Sequence, residues 1–246
     1  MAEIIYDKKN LKMFCTPKCG ISNFRGMINN GIFDNEFNLD KPIKAIVIRN
    51  PWKRIVSFYI QKIVLSRTFE KGDKLYSQSE NGYVGKLSTM ELKKISLWEK
   101  SFSEFIDIIS DIDIYSTEYH LSPQSVDIKN KDFDIIINLD NISDDIKPLL
   151  SIVNNEGFKI THLSNTADKE WIRKDKEGNI KKIVKNPSPR VDIVLDNAFD
   201  LNPSELMKTG IPLDYSYFYN SEIIEKVYEI YKDDINKFNF ECPYKK

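Results

Sequence analysis

Histidine and cysteine are scarce in this chain. Only His120 and His162 occur among 246 residues, which argues against a multi-histidine metal site. Cys15, Cys19 and Cys242 cannot all pair and show no metal-ligand spacing, which fits a reduced, cytoplasmic setting. No G-x-x-x-x-G-K-[ST] loop occurs, which argues against ordinary ATP or GTP machinery. An excess of either charge is also missing: 36 basic residues face 37 acidic ones, for a net charge of −1. There is therefore no general electrostatic case for nucleic acid or for an anionic membrane. No apolar run approaches the ~18 residues of a membrane span, and residues 1–15 lack a signal-peptide core.

What remains describes a globule. Hydrophobic residues make up 41% and charged residues 30%, and the length suits one large α/β domain or two small ones. No internal repeat and no dividing linker is visible, so residues 1–246 are read as a single domain. Leu11, Met13, Phe14 and Cys15 form a short apolar run suited to a buried strand. Phe24, Met27 and Ile28 then fall at helical spacing, with Gly31 placed to end the helix. Between them, Pro17, Lys18 and Gly20 make a tight turn. A strand, a turn with one lysine and one glycine, and a helix start together suit an anion. The first helical N–H groups are unpaired, the helix dipole favours negative charge, and glycine lets the backbone come close.

A second unit follows about 35 residues later. Residues 44–49 contain the β-branched run of a central parallel strand, and Asn50-Pro51 reads as an N-cap with proline at the first helical position. Ile55, Val56, Tyr59, Ile60, Ile63 and Val64 repeat at helical spacing. Arg49 thus stands at the carboxyl end of one strand and Ser57 on the next helix, where ligands of open α/β sheets bind. A guanidinium fork and a hydroxyl suit phosphate oxygens; the alternative is that Arg49 and Arg54 pair with surface carboxylates. Further on, Ser101 and Glu104 predict a capped helix, 111–116 a short strand, and 133–139 a clearer one. Ile146, Leu149, Leu150 and Val153 predict a helix ending at Gly157, and a last helix starts near Ser221 with Ile224, Val227, Tyr228, Tyr231, Ile235 and Phe238 on one side. Residues 70–96 read as a polar surface excursion. Residues 171–190, with seven basic and two acidic residues and Gly178, Pro187 and Pro189, read as irregular. They suit either a solvated loop or a grip on an anionic acceptor. Cys15 and Cys19 read as packing and loop residues. Trp52, Trp98 and Trp171 suit core packing or stacking on a sugar ring.

These motifs carry a resemblance to a known family. Pro17-Lys18-Cys19-Gly20-Ile21-Ser22 resembles the 5′-phosphosulfate-binding loop of sulfotransferases, and Arg49-Asn-Pro through Ser57-Phe-Tyr resembles their 3′-phosphate-binding motif, with the Arg-to-Ser separation of eight intact. His120-Leu-Ser-Pro-Gln124 is similar to the His-x-x-Pro-Gln of the carbohydrate sulfotransferases, and Phe133–Leu150 and Tyr228–Phe240 continue the likeness. One departure is Ile21, which stands where the loop usually has a hydroxyl. The resemblance implies a P-loop-NTPase-like three-layer sandwich around a central, mostly parallel sheet. It also implies 3′-phosphoadenosine 5′-phosphosulfate (PAPS) as sulfuryl donor, no metal, and a carbohydrate or other hydroxyl-bearing acceptor. Pro17, Lys18, Cys19, Gly20, Ile21, Ser22 and Asn23 would bind the donor with Arg49 and Ser57, and Lys18 would act at the sulfuryl group. His120 is the first choice of base, because imidazole titrates near neutrality; Glu118, Asp34 and Glu36 are alternatives, and His120 also suits bracing a turn. A P-loop-like kinase and a non-catalytic nucleotide- or glycan-binding module remain rival readings.

Overall fold

A computed structural model describes residues 2–65, 97–112, 120–128, 131–158, 171–174, 180–184 and 190–244. Its centre is a four-stranded sheet of β1 (Glu3–Lys8), β2 (Leu11–Cys15), β3 (Ile43–Ile48) and β4 (Ile135–Asn138), in that order. The edge strand β1 is antiparallel to β2, and β2, β3 and β4 run parallel. The protein is therefore a mixed α/β fold on a mostly parallel sheet. The strand β1 carries no clean alternation and was not anticipated from the sequence.

Alternation along the inner strands explains why helices cover both faces. Ala45 and Val47 join Met13, Cys15, Ile135 and Ile137 in one buried cluster, which receives Phe24 and Met27 of α1 (Ile21–Asn29). Ile46 and Ile48 join the other cluster with Phe14. That second cluster takes in α2 (Pro51–Phe58) and the stripe of α3 (Phe102–Ser110), which begins with the expected Ser101–Glu104 capping box. The parallel pairing of β2 with β3 puts the ends of both, Cys15 and Ile48, at the same edge of the sheet.

Several expectations need correction. The stripe after Asn50 is buried as expected, but from Tyr59 to Leu65 the backbone is π-helical. The same apolar side chains face the core under either winding, so spacing alone does not separate them. After the short α4 (Gln124–Asp127), the helix expected to end at Gly157 is two pieces, α5 (Ile142–Asp145) and α6 (Lys147–Ile152), divided before Pro148. It ends earlier because Asn154 adopts φ 54 and its side-chain amide donates to the Glu36 carbonyl at 3.0 Å. Residues 171–190 contain an antiparallel pair, β5 (Trp171–Lys174) with β6 (Ile180–Val184), where irregular chain was expected. Basic charge and two prolines outside the strands do not prevent a local hairpin. Beyond them lie β7 (Arg190–Val191), α7 (Pro203–Thr209), β8 (Ile211–Pro212) and α8 (Ser221–Phe238). In α8 Tyr231 departs from helical geometry at φ −116, and Tyr228 is exposed although it shares the predicted stripe. Residues 70–96, the candidate strand at 111–116 beyond Ile112, and Glu118 lie outside the described residues.

Candidate active site

At the end of β2 the chain turns through Thr16–Gly20. The Thr16 amide continues the sheet by donating to the Val47 carbonyl at 3.2 Å, and the Cys19 amide closes the turn on the Thr16 carbonyl at 3.2 Å. Lys18 takes φ 66, a left-handed conformation that costs an L residue on the order of 1 kcal/mol. Gly20 also needs its lack of a side chain: its φ is 81, and a Cβ would lie 3.0 Å from Leu139 Cδ1. Gly20 is the N-cap of α1, so no side chain caps this helix, and its first turn holds no acidic residue. The helix start is open to an anion.

Ser22 is exposed and Asn23 half-buried in that first turn, whereas Ile21 packs against the cluster under α1. The residue that replaces the usual hydroxyl therefore works as part of the core. The two thiols of the turn stay protonated. Burial, then the neighbouring Cys19, raises Cys15 well above its ordinary range, and burial pushes Cys19 up to about 11. Cys19 Sγ lies 2.8 Å from Thr16 Oγ1 and 3.1 Å from Gln124 Oε1, so it serves the turn rather than nucleophilic chemistry.

The second unit is built more tightly. Asn50 Oδ1 accepts from the Trp52 amide at 3.1 Å, and Pro51 starts α2, both as the sequence predicts. Arg49 has its Nε 3.5 Å from Asp140 Oδ1, its guanidinium carbon 5.9 Å above the Tyr215 ring, and its Nη1 donating to the Lys18 carbonyl at 3.4 Å. Burial opposes its charge, but Tyr215 and Asp140 reverse the balance and shift its titration upward. Even so, Arg49 Nε is buried and makes no hydrogen bond among the described residues. Ser57 is buried on α2. Trp52 is core packing: it is 2% exposed, and its indole N–H donates to the Ile224 carbonyl at 3.3 Å. A cleft of about 500 Å³ behind it, lined also by Tyr228 and Phe240, includes none of Lys18, Arg49 and Ser57.

Arg54 does not make the surface-carboxylate pairing of the alternative reading. It is 2% exposed and spends its donors on backbone: Nε on the Pro17 carbonyl at 3.0 Å, and Nη2 on the His120 and Ser122 carbonyls, each at 2.9 Å. A single guanidinium thereby ties the Lys18 loop to the segment bearing His120. That ring is half-buried, with its centroid 6.4 Å from Phe58. Asp34 and Glu36, in contrast, lie on the loop between α1 and the start of β3, beside Gly31 and Asn154, at the far end of the sheet. They are too remote to serve this edge.

Electrostatically the edge is crowded with positive charge. Burial and then Lys62, Arg49 and Arg54 hold the Lys18 ammonium well below its ordinary range. Its Nζ donates to Gln61 Oε1, on the π-helical turn. Asp140 answers part of the charge through Arg49 and through Lys53, 3.5 Å away. An anion would answer the rest. Asp140, Gln61, Tyr215 and Gln124 were not singled out as site residues from the sequence, because each reaches the edge from a distant element. Only Gln124 had a signal, as the last residue of the His-x-x-Pro-Gln motif.

At the ends of two parallel strands this mixed α/β protein gathers four basic side chains, Lys18, Arg49, Arg54 and Lys62. The profile of the Sulfotransferase family matches residues 23–241, and the chain belongs to that family, whose reaction is sulfuryl transfer. The match spans Arg49, Ser57 and His120–Gln124, and begins just after the Lys18 turn. No curated protein and no solved structure matches the chain. Among the described residues, no helix is long and apolar enough to cross a membrane, and no group of three His, Cys, Asp or Glu side chains is arranged to hold a metal.

Proposed function

We propose that this protein transfers a sulfuryl group from PAPS to a hydroxyl of a carbohydrate or glycoconjugate, as a single P-loop-like domain. One observation carries the reading: two anion-holding units stand side by side on adjacent parallel strands, linked by the Arg49 Nη1 bond to the Lys18 carbonyl. A donor with a 5′-phosphosulfate and a 3′-phosphate has negative groups at two places and suits both. The buried Nε of Arg49, which makes no hydrogen bond among the described residues, and the buried Ser57 fit a 3′-phosphate. The uncapped start of α1, with Pro17, Lys18, Cys19, Gly20, Ile21, Ser22 and Asn23 around it, fits the 5′ group through Lys18, the Ser22 hydroxyl and backbone N–H groups. The donor supplies the sulfuryl group and a leaving oxygen on which negative charge grows.

The chain supplies position and charge, as in phosphoryl transfer. Lys18 stabilises that growing charge. Its crowding by Lys62, Arg49 and Arg54 is relieved when an anion arrives, so the charged lysine is favoured in the complex. His120 takes the acceptor proton, and Arg54 anchors its backbone beside the loop. Replacing His120 with glutamine should remove the limb of the pH–rate profile that reports deprotonation of the base. An unchanged limb would take His120 out of that role.

The direct test is thermal-shift comparison followed by turnover. Adenosine 3′,5′-bisphosphate should stabilise the protein and ATP should not, and labelled sulfate should pass from PAPS to a member of a glycan panel. Stabilisation by ATP alone would favour a kinase. Bisphosphate binding without transfer to any glycan or other hydroxyl acceptor would favour a binding module.

A further inference from the structure

Between the two units lies one buried amide. Gln124 is 0% exposed. Its Nε2 donates to the Arg49 carbonyl at 2.8 Å and its Oε1 accepts from the Arg49 amide at 2.9 Å. The side chain thus pairs with both backbone groups of Arg49 as a neighbouring strand would, one residue past the end of β3. The same Oε1 is 2.9 Å from Thr16 Oγ1 and 3.1 Å from Cys19 Sγ, at either end of the Lys18 turn. One oxygen therefore touches both anion-holding units.

Gln124 is itself held from α8. Asp234, also 0% exposed, accepts from the Gln124 amide at 2.8 Å, from Gln124 Nε2 at 3.2 Å and from the Ser125 amide at 2.6 Å. Pro123, which precedes α4, has no capping side chain, and Asp234 supplies the cap from a distant helix. Among the described residues Asp234 forms no ion pair, so these N–H donors are what keep the buried carboxylate in place.

We propose that Gln124, anchored by Asp234, is the positioning residue that sets the spacing between the Lys18 turn and Arg49. A ligand with negative groups at two places then engages both units together. The identity of that ligand rests on the function proposed above; the spacing itself does not. Holding two subsites at a matched distance makes the second contact intramolecular. Loosening the spacing costs a two-group ligand that advantage and costs a one-group ligand little.

Gln124→Met keeps the volume and removes every amide hydrogen bond. Titration calorimetry should show adenosine 3′,5′-bisphosphate weakened by about tenfold or more, with 3′-AMP and 5′-AMP each changed by less than about threefold. In the nucleotide-free variant, hydrogen exchange at the Arg49 and Cys19 amides should accelerate by roughly tenfold. Equal weakening of all three nucleotides, or unchanged exchange at both amides, overturns the proposal. If the wild type binds none of the nucleotides, the donor assignment fails, and hydrogen exchange still decides the positioning role. Should Gln124→Met not fold, Asp234→Asn gives the same reading at Gln124, Ser125 and Arg49, and unchanged exchange there overturns it.

Discussion

The two strand–turn–helix units share a plan and differ in how they are finished. Each is a strand, a turn and a helix start on neighbouring parallel strands. The first leaves its helix uncapped and holds Lys18 in the left-handed region at φ 66. Its order is supplied from outside, by Arg54 on the Pro17 carbonyl and Arg49 on the Lys18 carbonyl. The second has a helix capped from within: Asn50 caps α2 and Pro51 presets the first turn, while Arg49 faces Asp140 and Tyr215 from distant elements. In the proposed function, the open, cationic unit would meet the charge that grows during the reaction. The unit proposed to hold the permanent phosphate would keep Asp140 as a counter-charge beside Arg49.

That contrast can be broken at either end. The largest effect belongs to Lys18→Ala, which should lower turnover by about 10²–10³ while leaving the melting temperature near the wild-type value. Near-normal turnover would sink the role given to Lys18. Next comes Arg49→Ala, expected to raise the donor KM by roughly 10- to 100-fold with little change when acceptor is varied. If nucleotide affinity stays the same, the second unit is a structural ion pair with Asp140.

A pH series probes the open unit further. The folded value of Lys18 lies below its ordinary 10.5, so between the two the unfolded chain binds more protons. Stability of the nucleotide-free protein should therefore rise with pH across that window. Nucleotide binding runs the other way: it favours the charged lysine, takes up a proton, and weakens as pH climbs through the depressed value. Calorimetry in buffers of different ionisation enthalpy measures that proton, and Lys18→Ala should abolish it.

Two smaller changes sharpen the comparison. Asp140→Asn keeps an acceptor for the Asn50 amide but removes the counter-charge from Arg49 and Lys53. Bisphosphate affinity should rise a few-fold, by about 1 kcal/mol or less; a loss would mean that Asp140 aligns Arg49 rather than competing with the ligand. Ile21→Thr restores the hydroxyl at the open unit and gives up packing against the core. It should tighten nucleotide binding by at most about fivefold and cost about 1 kcal/mol of stability. Unchanged affinity would place the 5′ group away from that side chain.

Much of the frame was legible because it depends on short-range spacing. The runs at 11–15, 44–49 and 133–139, the Asn50-Pro51 cap and the Ser101–Glu104 box all appear where expected. The misses have local causes as well. Asn154 and Pro148 redirect a helix that its apolar stripe would have continued, and the π-helical winding after Tyr59 preserves the stripe that predicted an α-helix. His120, by contrast, was picked for its chemistry and its motif. Its closeness to the loop is visible only through Arg54, whose partners no spacing rule names.

By itself the sequence determined the two strand–turn–helix units, the residue types they present and the eight-residue interval from Arg49 to Ser57. Each follows from steric and hydrogen-bonding preferences over a few neighbouring residues. Only the tertiary structure decided that Asp140 accepts from the Asn50 amide beside Arg49, that Gln124 accepts from the Arg49 amide, and that Asp234 holds the Gln124 amide, across separations of 90, 75 and 110 residues. Such contacts exist because a sheet order and the packing of α8 bring distant segments to one edge, and no local preference encodes that meeting.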